Sequence, residues 1–102
     1  MPWILACDSA QLQVGTMRRL ELADEEIALY HLADGFFATS DTCTHARASL
    51  SEGSLRDCIV ECPLHGGQFD ARTGKAVKLP CVTALQTFAT REKDGAVWVE
   101  IE

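Results

Sequence analysis

Basic side chains are in short supply: nine Lys and Arg stand against fifteen Asp and Glu, a formal net charge of −6 over 102 residues. A phosphate-binding surface needs clustered cations, and here they are scattered, which excludes a nucleic-acid partner. The acidic excess serves solubility or a partner with a basic docking face. No apolar run comes near 18 residues, so the sequence holds no candidate membrane span. Met1 to Asp8 has no basic n-region and meets a carboxylate after a few apolar residues. It is not read as a signal peptide, and the expected location is the cytoplasm. Helix-period stretches longer than about ten residues are missing, as are repeats, low-complexity segments and linkers. No Ser/His/Asp arrangement or carboxylate pair suggests catalysis, and His is limited to three.

What remains is an ordinary globular composition, 47% apolar and 24% charged. The length suits one small domain, residues 1–102, with a modest core. Cysteine numbers five, and without a secretory signal an odd count argues against a disulfide framework. Cys7, Cys58 and Cys81 are read as buried small hydrophobes. Cys81, beside Pro80, is the thiol to watch for oxidation.

Turn signals and alternation predict β structure nearly throughout. Trp3 to Cys7 reads as a short strand, and Asp8 to Leu12 as a turn of helix begun by capping residues. Met17 to Leu22 and Ile27 to Leu32 read as strands. Asp34-Gly35 is a hairpin turn in which Gly supplies positive φ, with Phe36 to Ser40 returning as the partner. Leu85 to Glu92 alternates as one strand, Asp94-Gly95 turns, and Ala96 to Ile101 comes back with Val97, Val99 and Ile101 on one face. Trp3 and Trp98 are expected to pack, Asp8 and Asp70 to sit in turns. The middle, about 41–82, holds most of the Gly and Pro and reads as a loop-rich insertion on a β scaffold.

That insertion carries the chemistry. Cys43-Thr44-His45 and Cys62-Pro63-Leu64-His65 are separated by sixteen residues. Each cluster offers one thiolate and one imidazole, soft and borderline donors that ask for a metal. Zinc takes two Cys and two His, but zinc fingers keep Cys with Cys and His with His at longer His spacing. The same donors form a two-iron centre in which two His replace two Cys on one iron. One of each per loop suits that centre, each loop sending its Cys to one iron and its His to the other. Cys43, His45, Cys62 and His65 are the candidate ligands. His31, the remaining imidazole, reads as an ordinary strand residue, so nothing is left to activate a substrate.

The text around the ligands is similar to the Rieske-type [2Fe-2S] ferredoxins of bacterial aromatic-ring-hydroxylating dioxygenase systems of the biphenyl, naphthalene or carbazole type. The matching stretches are Asp41 to His45, Ala48 to Gly53, Glu61 to Asp70, Thr73-Gly74-Lys75 and Leu79-Pro80. The resemblance implies the all-β Rieske fold, an antiparallel sandwich or barrel-like scaffold with a small cluster-binding subdomain at about 41–82. It implies one [2Fe-2S] cluster at the tip, with Cys43 and Cys62 on the buried iron and His45 and His65 on the outer one. Pro80 would lie in the loop covering the cluster. The expected role is that of a one-electron carrier and not an enzyme. Its partners would be a flavin-dependent NAD(P)H reductase and a terminal oxygenase, which compete for the exposed His edge. Arg47, close to that edge, is either a docking residue or a solvated charge.

Charge arithmetic places the potential. Two ferric ions, two sulfides and two thiolates sum to zero, so an added electron is accepted more easily than by a four-thiolate cluster. Rieske centres span roughly −150 to +300 mV against about −400 mV for plant-type ferredoxins. Relatives of high potential carry an extra disulfide and a Ser and a Tyr that donate to sulfur. Here no Cys occupies those loop positions, and Gly67 and Phe69 offer no hydroxyl, which predicts the low end of the range. Gly66 and Gly67 would let the backbone pass close to the cluster, and Pro63 would stiffen the second loop. Two other readings stand beside this one: a Rieske-like small subunit of a nitrite reductase or similar complex, and a structural zinc module.

Overall fold

A computed structural model describes residues 3–44, 48–64 and 66–101. Among the described residues eleven strands run in chain order: β1 (Trp3–Asp8), β2 (Thr16–Leu22), β3 (Glu25–Leu32), β4 (Gly35–Ser40), β5 (Ser54–Arg56), β6 (Ile59–Glu61), β7 (Gln68–Asp70), β8 (Ala76–Lys78), β9 (Thr87–Phe88), β10 (Thr90–Lys93) and β11 (Ala96–Glu100). They make three antiparallel sheets, ordered β1-β11-β10, β2-β3-β4-β9 and β5-β6-β7-β8. The all-β class follows. Among the described residues no helix is long and apolar enough to cross a membrane.

Strand β3 organises the core. Its run Ile27-Ala28-Leu29-Tyr30 is apolar at every position, the pattern of a strand covered on both faces. Ile27 and Leu29 pack with Cys7, Phe36, Val97, Val99 and Ile101 on one side. Ala28, Tyr30 and Leu32 face the other way, onto Cys43, Leu50, Val60, Cys62, Phe69 and Cys81. Side chains alternate across a strand, so one strand serves two cores. The second core is the floor under the ligand loops.

Most strands match the sequence reading, with four differences. The turn between β3 and β4 is built on Ala33 and Asp34, because Leu32 already pairs with Gly35. Ala23 and Asp24, at φ 50 and 67, form a tight turn between β2 and β3 without any glycine. Asp residues tolerate this region better than most, which is the only signal in the sequence. The expected strand Leu85 to Glu92 is two strands in different sheets. Phe88 pairs with Ala38, then Thr90 pairs with Val99. The crossover is pinned by Glu100 N–H on the Ala89 carbonyl at 2.9 Å and by Thr90 Oγ1 on the Phe36 carbonyl at 2.6 Å. Finally, the insertion is a sheet in its own right, strands β5 to β8, each three residues long.

Candidate metal centre

The first ligand loop leaves β4 and is closed at its base by backbone. Thr42 bridges Ser49, Cys43 N–H donates to the Ala48 carbonyl at 2.9 Å, and Leu50 N–H to the Asp41 carbonyl at 2.7 Å. Asp41 is 2% exposed, and its carboxylate gathers the loop. It accepts Ser51 N–H at 3.0 Å, accepts the Ser49 hydroxyl, and faces Arg19 Nε at 3.6 Å. A buried carboxylate needs such partners, so its charge and the loop closure stabilise each other.

The second loop joins β6 to β7, with Cys62 N–H donating to the Gly67 carbonyl at 2.8 Å. Glu61 Oε1 accepts Gln68 Nε2 at 2.8 Å across the loop's base. A third segment, from Lys78 to Leu85, crosses beside both. Thr44 Oγ1 donates to the Thr83 carbonyl at 2.7 Å, which ties this segment to the first loop. Leu85 N–H donates to the Gly74 carbonyl at 2.7 Å and anchors its far end.

Three thiols converge where the segments meet. Cys43 and Cys62 are 3% and 1% exposed, and Cys81 is as buried. The Cys43 and Cys81 sulfurs lie 3.8 Å apart. Burial raises the Cys62 thiol above its ordinary range, opposed by a backbone N–H from Leu64 and reinforced by Cys43 and Glu61. Burial pushes the Cys81 thiol up to about 12, with Cys43 adding to the effect. Both therefore stay protonated at neutral pH, and Cys62, an expected ligand, gives up its proton only to a cation. Among the described residues no group of three or more His, Cys, Asp and Glu is arranged to hold a metal ion.

Of the expected ligands, the structure brings Cys43 and Cys62 together over the β3 floor. His45 and His65 lie outside the described residues, as does Arg47. His31 is an ordinary strand residue: Nδ1 is 2.6 Å from the Leu12 carbonyl and the ring stacks on Phe36. Cys7 is a buried apolar residue, whereas Cys58 is only half-buried. Trp3 lies beneath the Arg91 guanidinium, 4.4 Å from the ring centre. Asp70 caps a turn through Arg72 N–H at 2.8 Å.

Two residues of this centre escaped the sequence reading. Asp41 was visible only as part of a matching stretch, and a buried carboxylate has no sequence signature of its own. Cys81 is buried, as its reading as a small hydrophobe expects; its place against Cys43, thirty-eight positions away, has no signal in the sequence. Gly67 shows how tight the junction is. A Cβ there would overlap the Cys81 sulfur and come within 3.2 and 3.3 Å of Cys81 Cβ and N.

Around the junction several apolar side chains are open to solvent. Leu64, in the second loop, is 46% exposed; Leu79 and Val82, flanking Pro80-Cys81, are 73% and 75% exposed. Exposed apolar residues grouped around one site mark a contact surface more often than residues scattered singly.

Known proteins share this fold. The sequence profile of the Rieske [2Fe-2S] domain matches residues 2–89. The chain is 43% identical over 98 residues to ferredoxin CarAc of Metapseudomonas resinovorans, covering 95% of this chain and 92% of that one. It is 45% identical over 96 residues to the ferredoxin component of biphenyl 2,3-dioxygenase from Rhodococcus jostii (strain RHA1), covering 94% and 90%. In the solved complex of reduced oxygenase and oxidised ferredoxin of carbazole 1,9a-dioxygenase, one chain superposes with a TM-score of 0.91 and 41% identity, covering 98% of this chain and 97% of that one. With the profile spanning most of its length and such relatives matched nearly end to end, the chain belongs to the Rieske [2Fe-2S] domain family, whose members carry one [2Fe-2S] cluster.

Proposed function

We propose that this chain is a one-electron carrier of a ring-hydroxylating dioxygenase system, working in the cytoplasm. Cys43 and Cys62 hold the inner iron, and His45 and His65 the outer one. The observation that carries this reading is the pair of almost fully buried thiols on two facing loops. The described residues alone offer no complete metal-binding set. The chain has three His, and His31 is engaged on β3, which leaves the two imidazoles of the loops to supply the nitrogen donors. A mixed set of two S and two N fits a Rieske cluster. Relatives named as ferredoxin components favour the carrier over a nitrite reductase subunit or a zinc module.

When bound, the cluster accepts and releases single electrons. The chain's own residues do the rest. Ala28, Leu50 and Phe69 are fully buried below the thiols and keep water from the sulfur side. The Asp41 network holds Ser49 and Ser51 at the base of the first loop, so this base rearranges little as charge changes. Leu64, Leu79 and Val82 leave an apolar rim that a partner covers, bringing its own redox centre close. The surplus of carboxylates, net −6, suits partners with basic docking faces. Those partners are a flavin-dependent reductase that oxidises NADH and a terminal oxygenase, which take turns at the same rim. The oxygenase performs the chemistry on the ring.

The test is a reconstituted chain of proteins. NADH and a flavin reductase of such a system should bleach the carrier with uptake of one electron per molecule, and the matching oxygenase should reoxidise it. An excess of redox-inactive oxygenase should slow reduction by the reductase. A carrier that takes up no electron, or a stable ternary complex of all three proteins, refutes the reading.

A further inference from the structure

We propose that Cys81 is a hydrogen-bond donor to the Cys43 sulfur, setting the reduction potential from the covering segment instead of from the second ligand loop. The inference rests on the reading of Cys43 as a cluster ligand. The two sulfurs are 3.8 Å apart and buried. A thiol donates and accepts weakly, whereas an iron-bound thiolate has no proton to give. Once Cys43 holds iron, the proton between the two sulfurs belongs to Cys81, and the direction of the bond is settled. At 3% exposure Cys81 meets no competing bulk water. Its backbone is held too: Cys81 N–H reaches the Lys78 carbonyl at 3.2 Å, and Thr83 is tied to Thr44 at 2.7 Å.

Gly67 supplies the second observation. A side chain at position 67 and the Cys81 thiol compete for one space, since a Cβ there would overlap the Cys81 sulfur. The low potential expected from the missing hydroxyl at position 67 therefore gains a second contribution. The space beside the ligand sulfur is not without a donor; it is filled by a thiol from a different segment, a weaker donor than a hydroxyl. A donor on a ligand sulfur stabilises the reduced, more negative state, so Cys81 raises the potential. By the same geometry, Gly67→Ser introduced alone displaces the existing donor before it adds a new one.

The test compares midpoint potentials of the loaded protein by voltammetry, with the reduced-state electron paramagnetic resonance spectrum recorded for each variant. Cys81→Ala should lower the potential; Cys81→Ser, which keeps a donor, should lie above Cys81→Ala. Equal shifts in both variants would assign Cys81 to packing alone, and no shift in Cys81→Ala would remove the proposal. A second measurement uses the unaltered protein, whether or not the variants load. The oxidised-minus-reduced infrared difference spectrum should contain one S–H band that moves to lower frequency on reduction. It should survive in Cys7→Ala and Cys58→Ala. A difference spectrum without an S–H band overturns the proposal. If the unaltered protein lacks a Rieske spectrum altogether, the ligand reading fails instead, so the two failures are distinguishable.

Discussion

Gly67→Ala isolates the crowding at the centre of this site. The added Cβ would overlap the Cys81 sulfur and sit 3.2 Å from Cys81 Cβ and 3.3 Å from its backbone N. The sulfur cannot swing aside freely, because it is buried against Cys43. Overpacking of this kind costs about 1–3 kcal/mol, and in a domain of this size each kcal/mol lowers the melting temperature by about 4–8 °C. Cys81→Ala alone removes one buried atom, comparable to losing a methyl group, at about 0.5–1.5 kcal/mol. In the double variant the overlap is gone and only the 3.2 and 3.3 Å contacts with the Cβ and backbone N of position 81 remain to be relieved. The double variant should therefore be less destabilised than the sum of the singles by about 1–3 kcal/mol. Loss of the visible circular dichroism on heating, at one fixed scan rate, measures this in the loaded protein, where unfolding is a rate as much as an equilibrium. Additive effects would refute the placement of Cys81 beside Gly67. So would a Gly67→Ala protein that melts with the parent.

Two further outcomes follow from the geometry. Asp41→Ala leaves Ser51 N–H and the Ser49 hydroxyl without their shared acceptor; a loss of about 1–3 kcal/mol is expected, together with faster bleaching by an iron chelator, and unchanged bleaching would show that Asp41 does not secure the loop. Tyr30 donates to Thr39 Oγ1 at 2.8 Å, since Thr39 itself donates to the Ser40 carbonyl, and burial holds the Tyr30 hydroxyl well above the usual tyrosine pKa. A folded pKa above the unfolded one gives stability that is complete below about pH 10 and lost as pH rises beyond it, at about 1.4 kcal/mol per unit. Tyr30→Phe should cost about 0.5–1.5 kcal/mol near neutrality and then lose less than the parent in melts from pH 9 to 11. Parallel curves would contradict the burial argument.

How much of this was legible in the sequence depended on element length and on how far apart the partners lie. Long strands with clear alternation, such as Ala96–Glu100 with Val97 and Val99 buried, could be read directly. Asp94-Gly95 could be read as a turn from its residue types, whereas Ala23-Asp24 could not, because Ala is a poor indicator of positive φ. Strands β5 to β8 are three residues each, too short to show a period of two, so the insertion looked like loop. The break at Ala89 is tertiary: the local alternation continues through it while the chain changes sheets. The Cys and His of the ligand loops stood out because like chemistry recurs at short spacing. Cys81 did not, because its partner is distant in sequence and only the folded covering segment brings the sulfurs together.

The central claim is that two thiolates and two imidazoles from facing loops share one two-iron cluster. The dithionite-reduced protein's electron paramagnetic resonance spectrum tests it most directly. The account predicts a rhombic signal whose average g lies below that of all-cysteine [2Fe-2S] proteins, and which is lost when His45 or His65 is replaced by Ala. A colourless, silent protein, or an all-cysteine signal indifferent to both replacements, would contradict it.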